Sequence, residues 1–135
     1  MTQNPTPAQA SLKEMLWLFF GFSGRITREI YWLGFGFCYI ISLIVIQPHF
    51  RGIETVEDIE KIPAYVLPFM LLFVWCELAL VVKRAHDKGL SGFIALLALV
   101  PLVNFAFLIF LGLIAGDSGP NKYGRYPNTP PQNKV

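Results

Sequence analysis

Three stretches of this chain, residues 30–47, 62–82 and 93–115, run almost without charge. A helix rises 1.5 Å per residue, so about 20 apolar residues match a hydrocarbon core of about 30 Å. In lipid every backbone N–H and C=O must find its partner inside the segment, and a helix does this alone. The runs therefore dictate an all-α fold, a small helical multi-pass membrane protein. Composition agrees: 15% of residues are charged and 54% hydrophobic, where a soluble domain carries about 25% charged residues. The apolar excess sits in the three runs, which separates this chain from a soluble protein with a greasy core. A net charge of +2 is too small to support nucleic-acid binding.

Residues 1–10 are polar and read as a disordered tail without the features of a secretory signal. Ser11 and Glu14 have capping-box spacing, which predicts a helix starting there and ending near Gly21. Its apolar stretch is too short to cross a bilayer. It reads as an interfacial helix, with Lys13 and Glu14 toward water and Trp17 near the headgroups. The single membrane-embedded domain is expected over 11–127, with a second disordered tail at 128–135. Cys38 and Cys76 lie inside apolar runs and read as small buried hydrophobes. Two thiols without nearby histidines do not make a zinc site.

The first span, 30–47, ends at Pro48, and Gly34 and Gly36 offer places for another backbone to come close. The loop 49–62 is acidic through Glu54, Glu57, Asp58 and Glu60. It lacks the alternating ligands of a calcium loop and reads as a solvated loop or short amphipathic helix. In the second span Pro63 stands at the start and Pro68 inside, where a kink is expected. Glu77 is an intramembrane carboxylate, by position a functional-site candidate. A structural pairing with Lys83 or Arg84 is the competing expectation. Lys83, Arg84, His86, Asp87 and Lys88 form a basic turn, in which Lys83 and Asp87 have the spacing of a helical ion pair. His86-Asp87 suggests a metal only if other histidines join it, and the other histidine, His49, lies before the second span. No metal or cofactor is expected.

The third run, 93–115, reads in two ways. It is either one span kinked at Pro101, or a re-entrant hairpin turning at 101–104. Gly112 and Gly116 have the spacing of a helix-packing pair. Gly116-Asp117-Ser118-Gly119-Pro120 superficially matches a serine-protease nucleophile motif, but no workable His/Asp pair accompanies it. Asn121, Tyr123, Gly124 and Pro127 spell a tight turn instead.

Three polar motifs flank the runs. Phe22, Gly24, Arg25, Arg28, Tyr31 and Trp32 spell Phe-x-Gly-Arg-x-x-Arg-x-x-Tyr-Trp. Arg84, His86, Asp87, Ser91, Gly92 and Phe93 form the second motif, with Ala85 and Phe93 where Leu and Trp are common. Gly116, Gly119, Asn121, Tyr123, Gly124 and Pro127 form the third. Together, over residues 12–127, they resemble the bacterial family called domain of unknown function 805. The resemblance implies a multi-pass protein of the bacterial inner membrane and no assigned activity.

Lys and Arg near span ends set orientation. With a single third span, Lys13, Arg25, Arg28, Lys83, Arg84 and Lys88 face Lys122, Arg125, Lys134, Arg51 and Lys61 across the membrane, nearly balanced. With a hairpin the C-terminal three join the first group, giving nine against two and a cytoplasmic N-terminus. All three motifs then share one face, where Arg25, Arg28, Arg84, His86, Asp87, Asn121 and Tyr123 are expected to form a polar cluster, either locking helix ends or binding anionic lipid headgroups. The functional expectation is a non-enzymatic membrane interaction or scaffold protein, touching the bilayer and another membrane protein or a second copy of itself. The alternative is a small transporter or channel subunit working as an oligomer, resting on Glu77, Asn104 and the prolines.

Overall fold

The computed structural model describes residues 7–131, all helix and connecting turns apart from one isolated bridge between Asn121 and Gly124. Helix α1 spans Pro7–Phe20. It opens on proline, whose missing N–H is one of the unpaired donors of a first turn. Ser11 and Glu14 therefore lie inside the helix and do not cap it, and residues 7–10, read from sequence as part of a tail, belong to α1; residues 1–6 of that expected tail lie outside the described region. Gly24 turns the chain with φ +88°, and a Cβ there would come within 2.9 Å of the Trp17 ring. The same indole donates from Nε1 to the Ser23 carbonyl at 2.8 Å.

Helix α2, Arg28–Val45, buries Tyr31, Gly34 and Cys38, a stripe on one helical face. Of the two glycines expected to admit a neighbour, Gly34 does, against Leu80, while Gly36 has open space. Two short helices follow, α3 at Gln47–Phe50 and α4 at Val56–Ile59, the latter with a capping box between Thr55 and Asp58. The acidic loop is thus partly helical. Lys61 at 2.5 Å, together with N–H donation from Glu54 and Thr55, holds the Asp58 carboxyl below the usual carboxylate range.

Helix α5, Val66–Asp87, is the central element. Its 22 residues reach about 33 Å at 1.5 Å each. Pro68 falls in its first turn, where no intrahelical donor is lost, so the expected interior kink has no cause. The helix also runs on through the expected basic turn, and its last two turns are the buried part of the molecule. Residues 93–115 do not form one helix. A 3₁₀ helix at Gly92–Leu99 gives way at 100–102 to α6, Val103–Leu113. Leu102, at the break, takes φ 69°. Each arm is about 16 Å long, half a bilayer core. Both outer ends return to the C-terminal end of α5: a Cβ on Gly92 would lie 3.0 Å from His86 Nε2, and the Asp117 amide donates to the Asp87 carbonyl at 2.7 Å.

The core joins Ile26, Tyr31, Cys38, Leu80, Val81, Ala95, Phe107 and Leu111 from the loop, α2, α5 and both arms. Leu33, Ile44, Leu67, Leu71, Phe105 and Leu113 face outward, each more than three-fifths exposed. So large an apolar exterior is foreign to a water-soluble monomer. Helices α2 and α5 are both long and apolar enough to cross a membrane.

Candidate functional site: a buried arginine–aspartate network

At the C-terminal end of α5 the three motifs converge on one carboxylate. Asp87, 3% exposed, is the last residue of the helix. Its Oδ1 accepts from Arg25 Nε and pairs with Arg25 Nη2, both at 3.0 Å, and its Oδ2 accepts from Arg84 Nη1 at 2.5 Å. Both guanidiniums are 1% exposed. An uncompensated charge at such depth is prohibitive, so the neighbourhood must supply acceptors for every remaining N–H. Backbone carbonyls accept from every terminal guanidinium nitrogen of the two arginines. Arg25 Nη1 donates to Gly119 at 2.6 Å and Gly124 at 3.3 Å, and Nη2 to Asp117 at 2.9 Å. Arg84 donates to the carbonyls of Leu111 at 2.8 Å, Ile26 at 3.5 Å and Ile114. The planar fork of arginine is what allows one side chain to collect several carbonyls in a fixed plane. Helix ends leave carbonyls without partners, and α6 ends at Leu113, so Arg84 caps it from the side.

His86 belongs to the same constellation. Its Nδ1 faces the Gly24 carbonyl at 3.1 Å and therefore carries a proton. Its ring stacks on Tyr123, centroids 3.7 Å apart and 8° from parallel. Asn121 donates to the His86 carbonyl and to Asp117 Oδ2, each at 2.9 Å, and accepts the Tyr123 amide at 3.0 Å. Gly116 is required by the carboxylate itself, because a Cβ there would overlap Asp87 Oδ2. Among the described residues no buried side-chain nitrogen or oxygen lacks a partner.

Arg25, Arg84, His86, Asp87, Asn121 and Tyr123 are thus brought together as the sequence suggested. Arg28 is not. It is exposed and pairs with its neighbour Glu29 at 3.1 Å, and none of the ion pairs among the described residues joins it to Asp87. Lys83 does not pair with Asp87 either. Its Nζ donates to the carbonyls of Trp17, at 3.2 Å, and Gly21, and lies 5.4 Å from the Trp17 ring centroid. Lys83 thereby ties the end of α1 to α5, and Asp87 is left to the two arginines. The expected pairing of Glu77 with Lys83 or Arg84 fails for the same reason, since both cations are engaged elsewhere and none of the ion pairs among the described residues includes Glu77.

Three contributors were not among the residues expected in the polar cluster. Asp117 accepts through both its carbonyl and its carboxylate. Trp32 Nε1 donates to the Gly112 carbonyl at 3.1 Å. Asn128, placed by sequence in the C-terminal tail, donates its amide to the Arg25 carbonyl at 2.8 Å and accepts from the Thr27 amide at 2.9 Å. His49 sits at the other end of α5, 2.9 Å from the Tyr65 hydroxyl and about 30 Å from His86 along the helix, too far to share a ligand with it.

A family model described as "Protein of unknown function (DUF805)" matches residues 19–125, the region that holds Arg25, Arg84, His86, Asp87, Asn121 and Tyr123. The chain belongs to this family. Inner membrane protein YhaI of Escherichia coli K12 is 33% identical over 107 residues, covering 79% of this chain and 86% of that one. The uncharacterized protein YiiR of the same strain is 28% identical, covering 81% and 86%, and inner membrane protein YhaH is 27% identical, covering 82% and 90%. No solved structure matches. The DUF805 match starts at the end of α1, so it encloses α2, α5, the 3₁₀ helix, α6 and the turn that closes on Arg25.

Proposed function

We propose that this chain is a bacterial inner-membrane interaction or scaffold protein without enzymatic activity, in which the three motifs build architecture and the outer surface does the binding. One observation carries this reading: each of the three guanidinium nitrogens of Arg25 is engaged by an internal acceptor. A guanidinium so engaged has nothing left for a substrate or a phosphate. The relatives named as inner membrane proteins support the location.

In the proposed topology α2 and α5 cross the membrane and residues 92–113 form a re-entrant hairpin. The support is the return of both arms to the C-terminal end of α5 and the nine-to-two distribution of Lys and Arg that follows. The N-terminus, the end of α5 and the C-terminal turn then share the cytoplasmic side. Helix α1 lies along that interface, with Leu12, Met15 and Leu16 toward lipid. Anionic headgroups on this face meet the exposed cations Arg28, Lys88, Lys122 and Arg125 and not the buried arginines.

Two measurements test the reading. Single cysteines (Thr55→Cys, Lys88→Cys, Lys122→Cys) are placed in a Cys38→Ala, Cys76→Ala background and treated in intact cells with a membrane-impermeant thiol reagent. The expected pattern is labelling at 55 alone. Labelling at 55 and 122 together overturns the topology. Native mass spectrometry of the gently solubilised protein is expected to retain stoichiometric anionic lipid or a membrane-protein partner, and Arg28→Ala with Arg125→Ala is expected to release the lipid. A bare monomer that instead conducts ions or solutes in liposomes overturns the scaffold reading in favour of a transporter or channel subunit.

A further inference from the structure

Glu77 lies ten residues before the end of α5, about 15 Å from Asp87 along the axis, half the thickness of a hydrocarbon core. It lines a cavity of about 280 Å³ between the two long helices and the hairpin. Phe35 of α2, Val74 and Leu78 of α5, Leu99 of the 3₁₀ helix, and Asn104 and Leu108 of α6 contribute walls. Asn104 stands just past the break between the arms and accepts the Phe105 amide with its Oδ1 at 2.7 Å, which leaves its NH₂ group free to donate. The lining contains one acid, one amide and no base. Val74 and Leu99 are 38% and 52% exposed, so the mouth opens sideways between α5 and the hairpin, toward lipid.

An unpaired carboxyl at this depth is costly and is retained for a purpose or neutralised by a partner. Among the described residues no cation pairs with it. A metal ion is a poor match, because hard cations take six or more oxygen ligands at close range and the cavity offers little beyond the Glu77 carboxylate. The chemistry that fits is a single positive charge carried on an apolar body. The ammonium would meet Glu77, the ring of Phe35 would offer a face to the cation, and the hydrocarbon part would fill the aliphatic walls. We propose that the Glu77 cavity is a binding site for a lipophilic ammonium that enters from the bilayer. This site stands apart from the scaffold reading, and its failure leaves that reading untouched.

The test uses the full chain in lipid nanodiscs. Dicyclohexylcarbodiimide, an apolar reagent that attacks carboxyls from the lipid phase, is expected to modify Glu77, read by peptide mass spectrometry. Phenethylammonium is expected to protect Glu77 saturably, and the uncharged analogue 2-phenylethanol at the same concentration is not. By isothermal titration, Glu77→Gln should weaken phenethylammonium binding at least tenfold. Leu99→Trp, which narrows the mouth and keeps the acid, should weaken it as well. Failure of Glu77 to react, equal protection by the alcohol, or equal binding by wild type and Glu77→Gln overturns the proposal. Because the protection experiment is done on the wild-type chain, a folding defect in either variant does not blunt it.

Discussion

Replacing Asp87 by asparagine changes one oxygen to an NH₂ group and nothing in shape. In the native fold that carboxylate accepts three guanidinium contacts, two from Arg25 and one from Arg84, with both arginines 1% exposed. Asparagine keeps one acceptor and turns a donor toward the other arginine, and two buried positive charges lose their counter-charge. Breaking one side of a buried pair costs about 3–5 kcal/mol. The carbonyls around Arg25 and Arg84 do not lessen this, because they are already engaged. For a domain of this size each kcal/mol moves Tm by about 3 °C, so Asp87→Asn should melt on the order of 10 °C below wild type. Cys38 is buried and Cys76 half-buried, and both thiols become reactive as the bundle opens. A thiol-reactive fluorophore that labels them in a thermal ramp therefore reports the transition without an added tag. Arg28→Ala, at an exposed ion pair, is the control and should shift Tm by no more than about 1–2 °C. If Asp87→Asn melts within 2 °C of wild type, the network is not what holds the three motifs together.

Other perturbations separate the parts. Arg84→Ala should lower the melting temperature by several degrees more than Arg51→Ala, since Arg84 spans α6, the loop and Asp87 while Arg51 is exposed; equal shifts would make Arg84 a solvated anchor. Gly116→Ala should reduce the yield of folded protein in detergent, judged by a monodisperse elution peak, because its methyl would occupy the space of the Asp87 carboxylate; normal elution would refute the fit. Asp58 is held below its usual range, so its contribution to the α4 cap is complete above about pH 4 and is lost only as pH falls through the lower folded value. Protection of the Thr55 amide in hydrogen exchange, corrected for intrinsic rate, should therefore be flat from pH 7 to pH 5 and absent in Asp58→Ala.

Much of the fold is legible in the sequence because the bilayer imposes a length rule. Residues 30–47 and 62–82 announce α2 and α5 through apolar length alone. The boundaries are less legible. Lys83, Arg84 and Asp87 look like a solvated turn by composition, yet they are the last turn of α5, because the loop after Gly21 and the turn after Leu113 bury them. Local spacing also misleads. Lys83 and Asp87 stand four apart, but their partners come from Gly21 and Arg25, elements that no helical periodicity brings near. Arg25 and Arg28 look equivalent in the motif. One backbone turn separates them, and Gly24's left-handed conformation points the first inward. The stacking of His86 on Tyr123 depends on a contact across 37 sequence positions, for which neither residue carries a local signal.

The partners of Arg25 have a consequence in time. Its acceptors at Asp117, Gly119 and Gly124 stand 92, 94 and 99 residues further along the chain. At a synthesis rate of about 5–20 residues per second, the arginine waits several seconds before they exist. A nascent chain stopped before residue 116 thus has Asp87 to pair with Arg25 but none of the carbonyls that enclose the guanidinium in the finished protein. Synthesis past Gly124 is what closes the shell around that charge, so the burial of Arg25 is among the last events in the making of the molecule.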